Sequence, residues 1–408
     1  MSNGSKALLI VLLITPLFGL GIDLYSPSMP AIAHQFNVPE TTIKLTIILY
    51  IIGYGIGQMI FGPMSDWFGR KSTLIIGLSL YVGVSVFLCF TVTPLLFLMC
   101  RFMQGFLISS AGVINKTLLS DNFKDKSLEK ATAYMVIIWS ISPIVAPAIG
   151  SYVQAYLSWR VNFFILAGYG LIALILTKFI LVDNLLCVKK ISVKKVFNDY
   201  VDVISHKKFV GFSIILAITY ALLVVFSIAA PFIIQTFLKQ SVLVYGHLAL
   251  LMGCGFFAGT MFNRVLITHF SAKKLIYSNL IFSILVAAFM VMWNIIYGVS
   301  IYSIGVPSFL IIFFSAIVTP NCYALSFRLF TEKAGTATAV RGILTLIGAS
   351  IFSSPALLLQ SNLNPWVLSV EYAVLNMLAL FIFYFILSKN KQRIFVNSSS
   401  RRGCEFSE

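Results

Sequence analysis

The first residue able to do chemistry is an aspartate standing alone in an apolar run. Asp23, followed by Leu24, Tyr25, Ser26 and Pro27, is the only carboxylate well inside the apolar stretches of the first half of the chain. A carboxyl held away from water is costly when charged, so it can exchange a proton near neutral pH. The alternative is local: the residue ends and caps a helix before Pro27, its carboxyl held by Tyr25 or a neighbouring segment. Arg101 lies inside another apolar stretch, where an unpaired charge is expensive. It either steers protonation of Asp23 or holds its segment through backbone carbonyls, and the two roles are compatible. Arg341 is a third embedded charge. Facing a cavity, its forked guanidinium suits a carboxylate or phosphate; otherwise it anchors a segment end or pairs with Glu332. Lys44 and Lys116 lie close enough to segment ends to snorkel, and Glu371 reads as an interfacial acid.

Enzyme chemistry finds little support. The four histidines are dispersed, without HExxH or other metal-ligand spacing. The six cysteines form no CxxC and read as apolar packing residues, giving neither a metal site nor a disulfide framework. Gly69-Arg70-Lys71-Ser72 echoes a phosphate-binding loop but lacks GxxxxGK[ST], so ATP is not the fuel. No cofactor is expected. An ion gradient is the remaining source of work.

These residues must be positioned by membrane spans. The 408 residues are 59% hydrophobic and only 10% charged, where a soluble chain carries about a quarter. Twelve apolar stretches, near 7–30, 42–62, 72–92, 95–119, 131–153, 161–182, 209–235, 245–267, 274–296, 300–325, 336–358 and 366–388, reach the length of about 20 residues that crosses a bilayer as helix. The expected fold is all-α and integral to the lipid bilayer. The net charge of +16 is a topology signal and not a nucleic-acid footprint, because Lys and Arg gather in alternate loops. Arg70 and Lys71, Lys124 to Lys130, Lys189 to Lys208, Lys273 and Lys274, Arg328 and Lys333, and the tail from Lys389 to Arg402 lie on one side, against Arg160 and Lys239 on the other. Both termini are therefore expected in the cytoplasm. Ala31-Ile-Ala33 faintly suggests a signal-peptide cleavage site, but cleavage would leave eleven spans and break that alternation.

The polar stretch 183–208 divides the chain into a six-span half at 1–182 and another at 209–388, with a tail at 389–408. The Lys-rich linker is expected at the cytoplasmic membrane surface. Asn263-Arg264 to Lys273-Lys274 echoes the position of Gly62 to Lys71, and Pro355 that of Pro143 and Pro147. Two such halves with a site between them is an arrangement many secondary transporters share.

Five patches carry a family resemblance. Gly62-Pro-Met-Ser-Asp66-Trp-Phe-Gly69-Arg70-Lys71 resembles the loop between spans two and three of major facilitator transporters. Asp23-Leu-Tyr25-Ser-Pro27-Ser-Met-Pro30 is similar to the signature of the Bcr/CflA group of twelve-span drug:proton antiporters. Arg101-Phe-Met-Gln104-Gly105 resembles the basic motif of span four. Ser142-Pro143-Ile-Val-Ala-Pro147-Ala-Ile-Gly150, followed by Trp159-Arg160, resembles the antiporter motif and the start of span six. Pro320-Asn321 with Ala334-Gly335-Thr-Ala-Thr-Ala339 is similar to the same group. Departures are Trp67 at a usually basic position, Phe-Leu-Ile-Ser-Ser after Gly105, Ser140 and Ser151 for glycines, and Arg341 for an uncharged residue.

The resemblance implies an inner-membrane transporter, a monomer, exporting drugs or small metabolites against entering protons by alternating access. It places the coupling acid at Asp23, with Arg101 beside it. Tyr25, Gln104, Asn321 and Arg341 are the candidate substrate residues, and Tyr50, Tyr54, Trp139 and Tyr220 lie in pore-lining spans. Gly62, Asp66, Gly69, Arg70, Lys71, Asp121, Pro143, Pro147 and Gly150 are the candidate gating and structural residues. Glycines of the turn would let two spans pack closely at the cytoplasmic face; Asp66 would meet the helix start at Gly335-Thr336, and Arg70 would pair with Asp121, latching the outward-open state. Dedicated export of an anionic metabolite, such as a polycarboxylate siderophore, is the alternative, because acid is scarce and base is present in the spans. Proton-coupled import shares most motifs, with the span-five prolines arguing against it.

Overall fold

In lipid every backbone N–H and C=O must be satisfied within the protein, so apolar runs of this length become helices. The computed structural model describes residues 3–181, 193–330, 334–358 and 366–401. Expectations placed on 183–192, Glu332, Lys333, Cys187, Cys404 and the Ser140 side chain lie outside the described residues.

Twelve spans are present among the described residues, numbered one to twelve in chain order. They are Asn3–Phe36, Glu40–Phe68, Arg70–Cys89, Pro94–Asn122, Asp125–Tyr156, Trp159–Ile180, Lys207–Phe237, Val242–His269, Ala272–Tyr297, Ile301–Phe327, Thr336–Leu357 and Leu368–Ile386. Their ends follow local chemistry. Pro94 opens span four at a position where its missing N–H costs nothing, and Ser271 and Ser300 cap the N-termini of spans nine and ten. Gly298 turns the chain with φ 78°. The outer surface is apolar, with Phe179, Tyr302 and Phe381 largely exposed, as suits a lipid-facing wall.

Span two extends further than the sequence pattern suggests. The run from Gly62 to Phe68 is helical, and the expected polar turn shrinks to Gly69 with φ 87°. Pro63 removes one ladder bond inside this helix, while the Ser65 hydroxyl donates to Gly62 O and Thr73 to Met64 O.

Within the first half, span four packs on spans two and three, and span three on span six. Within the second, span ten packs on eight and nine, and span seven on span eleven. Spans five and eight, and two and eleven, form the two seams between halves. Between the halves, helix Val193–Ser205 lays Tyr200 and Val203 against Phe209, Phe330, Ala337 and Val340. This segment of the linker is thus seated at the ends of spans seven, ten and eleven.

Close approach governs the inner packing. A Cβ at Gly150 would overlap the carbonyl oxygen of Leu24, and one at Gly105 that of Tyr50. Gly62 differs: among the described residues nothing lies within 4 Å of its Cβ position. Gly150→Ala should therefore push span five off the break in span one, at a cost of about 1–3 kcal/mol. A lowered unfolding midpoint in detergent, with Gly168→Ala as the open-space control, would register it. An unchanged midpoint would contradict the contact.

Candidate functional site

Span one is broken where its charge sits. Its helical pieces are Asn3–Ile14, Leu17–Asp23 and Met29–Phe36, joined by a tight turn at Ser26–Ser28. Pro16, Pro27 and Pro30 interrupt the ladder. The second piece ends at Asp23, and the Gly21 carbonyl in its last turn accepts from Arg101 Nη2 at 2.7 Å. A helix-end carbonyl is thereby satisfied by a guanidinium from span four.

Arg101 is fully buried. Its guanidinium stacks 4.1 Å from the Tyr25 ring centroid and 4.5 Å from that of Tyr50. Nη1 donates to Gln104 Oε1, whose amide nitrogen donates to Ser85 at 2.8 Å. Tyr25 bonds Thr46 at 2.6 Å, and Tyr50 donates to Phe18 O at 3.1 Å. Tyr25 and Gln104, both candidate substrate residues, therefore pack around Arg101 inside the first half. Among the described residues Arg101 makes no ion pair with Asp23; its Nε has no hydrogen-bond partner.

Asp23 faces the other way, toward the second half. Its Oδ1 accepts from the Ser227 hydroxyl of span seven at 3.4 Å. Around it lies a cavity of about 50 Å³ lined by residues including Phe18, Trp139, Pro143, Pro147, Tyr220 and Phe256. At about 10–15 Å³ per water, that holds roughly four waters and no drug-sized molecule. Trp139 and Tyr220 lie 6.5 Å apart across it. Each proline also deprives the carbonyl four residues earlier of its helical donor. Those carbonyls belong to Trp139 and Pro143, both in the lining, so acceptors accompany the acid.

The halves meet on the side away from the chain termini. Ser26 and Tyr245 hydroxyls bond at 2.9 Å, Gln235 donates to Pro27 O at 2.9 Å, and Tyr152 meets His247 at 3.3 Å. Lys44 is buried there against the Phe232 ring, with Glu40 3.0 Å away. Its ammonium reaches back one turn toward the helix start at Glu40, and Phe232 of the second half covers it.

In the span-two/three turn Arg70 contacts Asp66 at 2.5 Å, Ser65 at 2.7 Å and Asp121 at 3.3 Å. Lys71 is half-buried. Among the described residues the hydrogen bonds of the turn stay within the first half. Such partly exposed ion pairs contribute little stability, about 0–1 kcal/mol. Arg70→Ala should leave the unfolding midpoint nearly unchanged while slowing turnover; equal loss of both would make the network a fold determinant.

Asn321 donates to Asn263 at 2.6 Å and to Ile317 O at 2.8 Å, tying span ten to span eight away from the cavity lining. Arg341 is buried, lies 4.4 Å from the Tyr323 centroid and donates to Ser326 at 3.3 Å. Glu371 is buried near the start of span twelve. The structure thus brings Asp23, Pro143 and Pro147 together at the seam and places Arg101, Tyr25 and Gln104 behind them. Ser227 went unread in the sequence, since a lone serine in an apolar span has no distinguishing spacing.

Two six-helix bundles meet across a cavity that holds a carboxyl, an arrangement that many secondary transporters share. The chain belongs to the Major Facilitator Superfamily, whose family model matches residues 11–353. It is a transporter and not an enzyme, and a multi-pass membrane protein, which in a bacterium means the inner membrane. It is 23% identical over 376 residues to the bicyclomycin resistance protein homolog of Haemophilus influenzae, covering 91% of this chain and 93% of that protein. It is 24% identical over 338 residues to the uncharacterized MFS-type transporter YdgK of Bacillus subtilis, covering 82% and 84%. A shorter match, 31% over 168 residues, covers 41% of this chain and 43% of the multidrug resistance protein MdtL of Shigella flexneri. These relatives agree with the Bcr/CflA resemblance. The crystal structure of the D-xylose-proton symporter superposes with TM-score 0.75 at 14% identity, covering 94% of this chain and 97% of that one, and shares the fold.

Proposed function

We propose that this transporter exports drugs or small metabolites in exchange for protons, by alternating access. The observation that carries the reading is the placement of Asp23 at the seam between halves, hydrogen-bonded to Ser227 of the opposite half. A carboxyl there is able to bind a proton or a cargo group, and either event alters a contact between the halves. The names of the relatives, bicyclomycin resistance and multidrug resistance, support export. Alternate-loop positive charge supports cytoplasmic termini. On that orientation the contacts of Ser26, Pro27 and Lys44 seal the outer side. The halves 1–182 and 209–388, joined through 183–208, are the units that would rock, and a monomer suffices for this cycle. One proton entering down roughly 150 mV releases about 3.5 kcal/mol, enough for a gradient of about a few hundredfold.

The test is dye or drug accumulation in cells stripped of their own pumps. Expression should lower accumulation, and a protonophore should restore it. Accumulation unchanged by expression across cationic, neutral and anionic compounds, or raised by it, would contradict export.

A further inference from the structure

Two cations from opposite halves converge between spans four and eleven. Lys116 of span four is solvent-exposed although it lies within an apolar span. Its Nζ stands 3.8 Å from the point a Cβ on Gly342 would occupy, and Gln58 Oε1 of span two stands 3.6 Å from the same point. Gly342 follows Arg341 directly in span eleven, so the two cations sit on facing helices. The two share a depth: at 1.5 Å per residue Lys116 lies about 9 Å from the Asn122 end of its helix, and Arg341 about 7.5 Å from Thr336. Among the described residues, the ion pairs are Lys44 with Glu40 and Arg70 with Asp66 and Asp121; none reaches Lys116 or Arg341.

Like charges in a medium of low dielectric repel strongly. An oxyanion between them replaces that repulsion with two charge-assisted hydrogen bonds. Arg341 is already oriented by its own half, since Tyr323 supports the guanidinium face and Ser326 takes one N–H of its five donors. Gln58 offers an amide from a third span. Lys116 supplies an accessible point charge from the facing wall.

We propose that Lys116 and Arg341 together bind an oxyanion, carboxylate or phosphate, in the crevice between the halves. That this anion is cargo rests on the transport reading above; the site itself rests on the two cations. A bound anion would draw span four toward span eleven and favour closure of the side bearing the chain termini.

The experiment is ligand binding to the purified full-length protein in detergent at fixed ionic strength. The probes are citrate, glycerol 3-phosphate and a short-chain phosphatidylglycerol, with phosphatidylcholine as the lipid control. At least one anionic probe should bind saturably. Its affinity should fall by at least about tenfold in Lys116→Gln and in Arg341→Gln, and Lys116→Arg should retain it. Response to citrate or glycerol 3-phosphate identifies a soluble anion, and response to phosphatidylglycerol alone identifies a lipid headgroup. Asp23→Asn should still bind the anion, so failure of proton coupling and failure of this site are read separately. No binding of any anionic probe, or equal binding in both glutamine variants, would overturn the proposal.

Discussion

Asp23→Asn is expected to abolish substrate-driven proton movement while leaving the protein folded and able to bind cargo. The amide keeps the volume of the side chain and a hydrogen bond with Ser227, which now lies 3.4 Å from Oδ1. Among the described residues it removes the only carboxyl group in the cavity lining. The expected loss of proton flux is at least about a hundredfold, the scale of losing a required proton-transfer group. Ligand-induced thermal stabilisation should persist within a few-fold. Asp23→Glu should restore flux in part, because it titrates but reaches differently. Undiminished flux in a well-expressed Asp23→Asn protein would remove Asp23 from the coupling step and leave it the local role of ending the helix.

The second large effect is expected at Arg101, and in stability more than in coupling. Arg101→Ala strands the Gly21 carbonyl and the Gln104 amide, unstacks Tyr25 and Tyr50, and opens a void among buried side chains. Unsatisfied buried groups and lost packing of this kind together cost about 3–5 kcal/mol. The unfolding midpoint and the folded yield should both fall sharply. Arg101→Lys should rescue only in part, since an ammonium lacks the planar fork that serves two acceptors and two rings together. A midpoint equal to wild type in Arg101→Ala would show that the cage is not what holds span one to span four.

The embedded charges and the twelve spans were legible in the sequence because both are matters of composition. An aspartate or arginine in an apolar run stands out, and so does a run long enough to cross a bilayer. Facing was not legible. These helices are apolar on every side, so no stripe marks the inner face. Tyr25 reads as a candidate cargo residue, and its packing on Arg101 could not be seen. Lys116 read as a snorkelling end residue, yet it meets the Gly342 face of span eleven. Ser227 carried no signal at all. Span two reads as ending near residue 62, but its helix continues to Phe68. Trp139 and Tyr220 were visible as aromatics in pore-lining spans, while their pairing across the cavity depends on how the halves meet.

Exchange of cargo for protons through Asp23 can be read in one assay, using inside-out vesicles with an acid interior and following lumenal pH as compounds are added. The panel contrasts lipophilic cations with polycarboxylates, in wild type and Asp23→Asn. At least one cargo class should provoke proton release in wild type and none in the variant. Release of equal size in both, or release by no compound from well-expressed wild-type protein, would contradict proton-coupled exchange at Asp23.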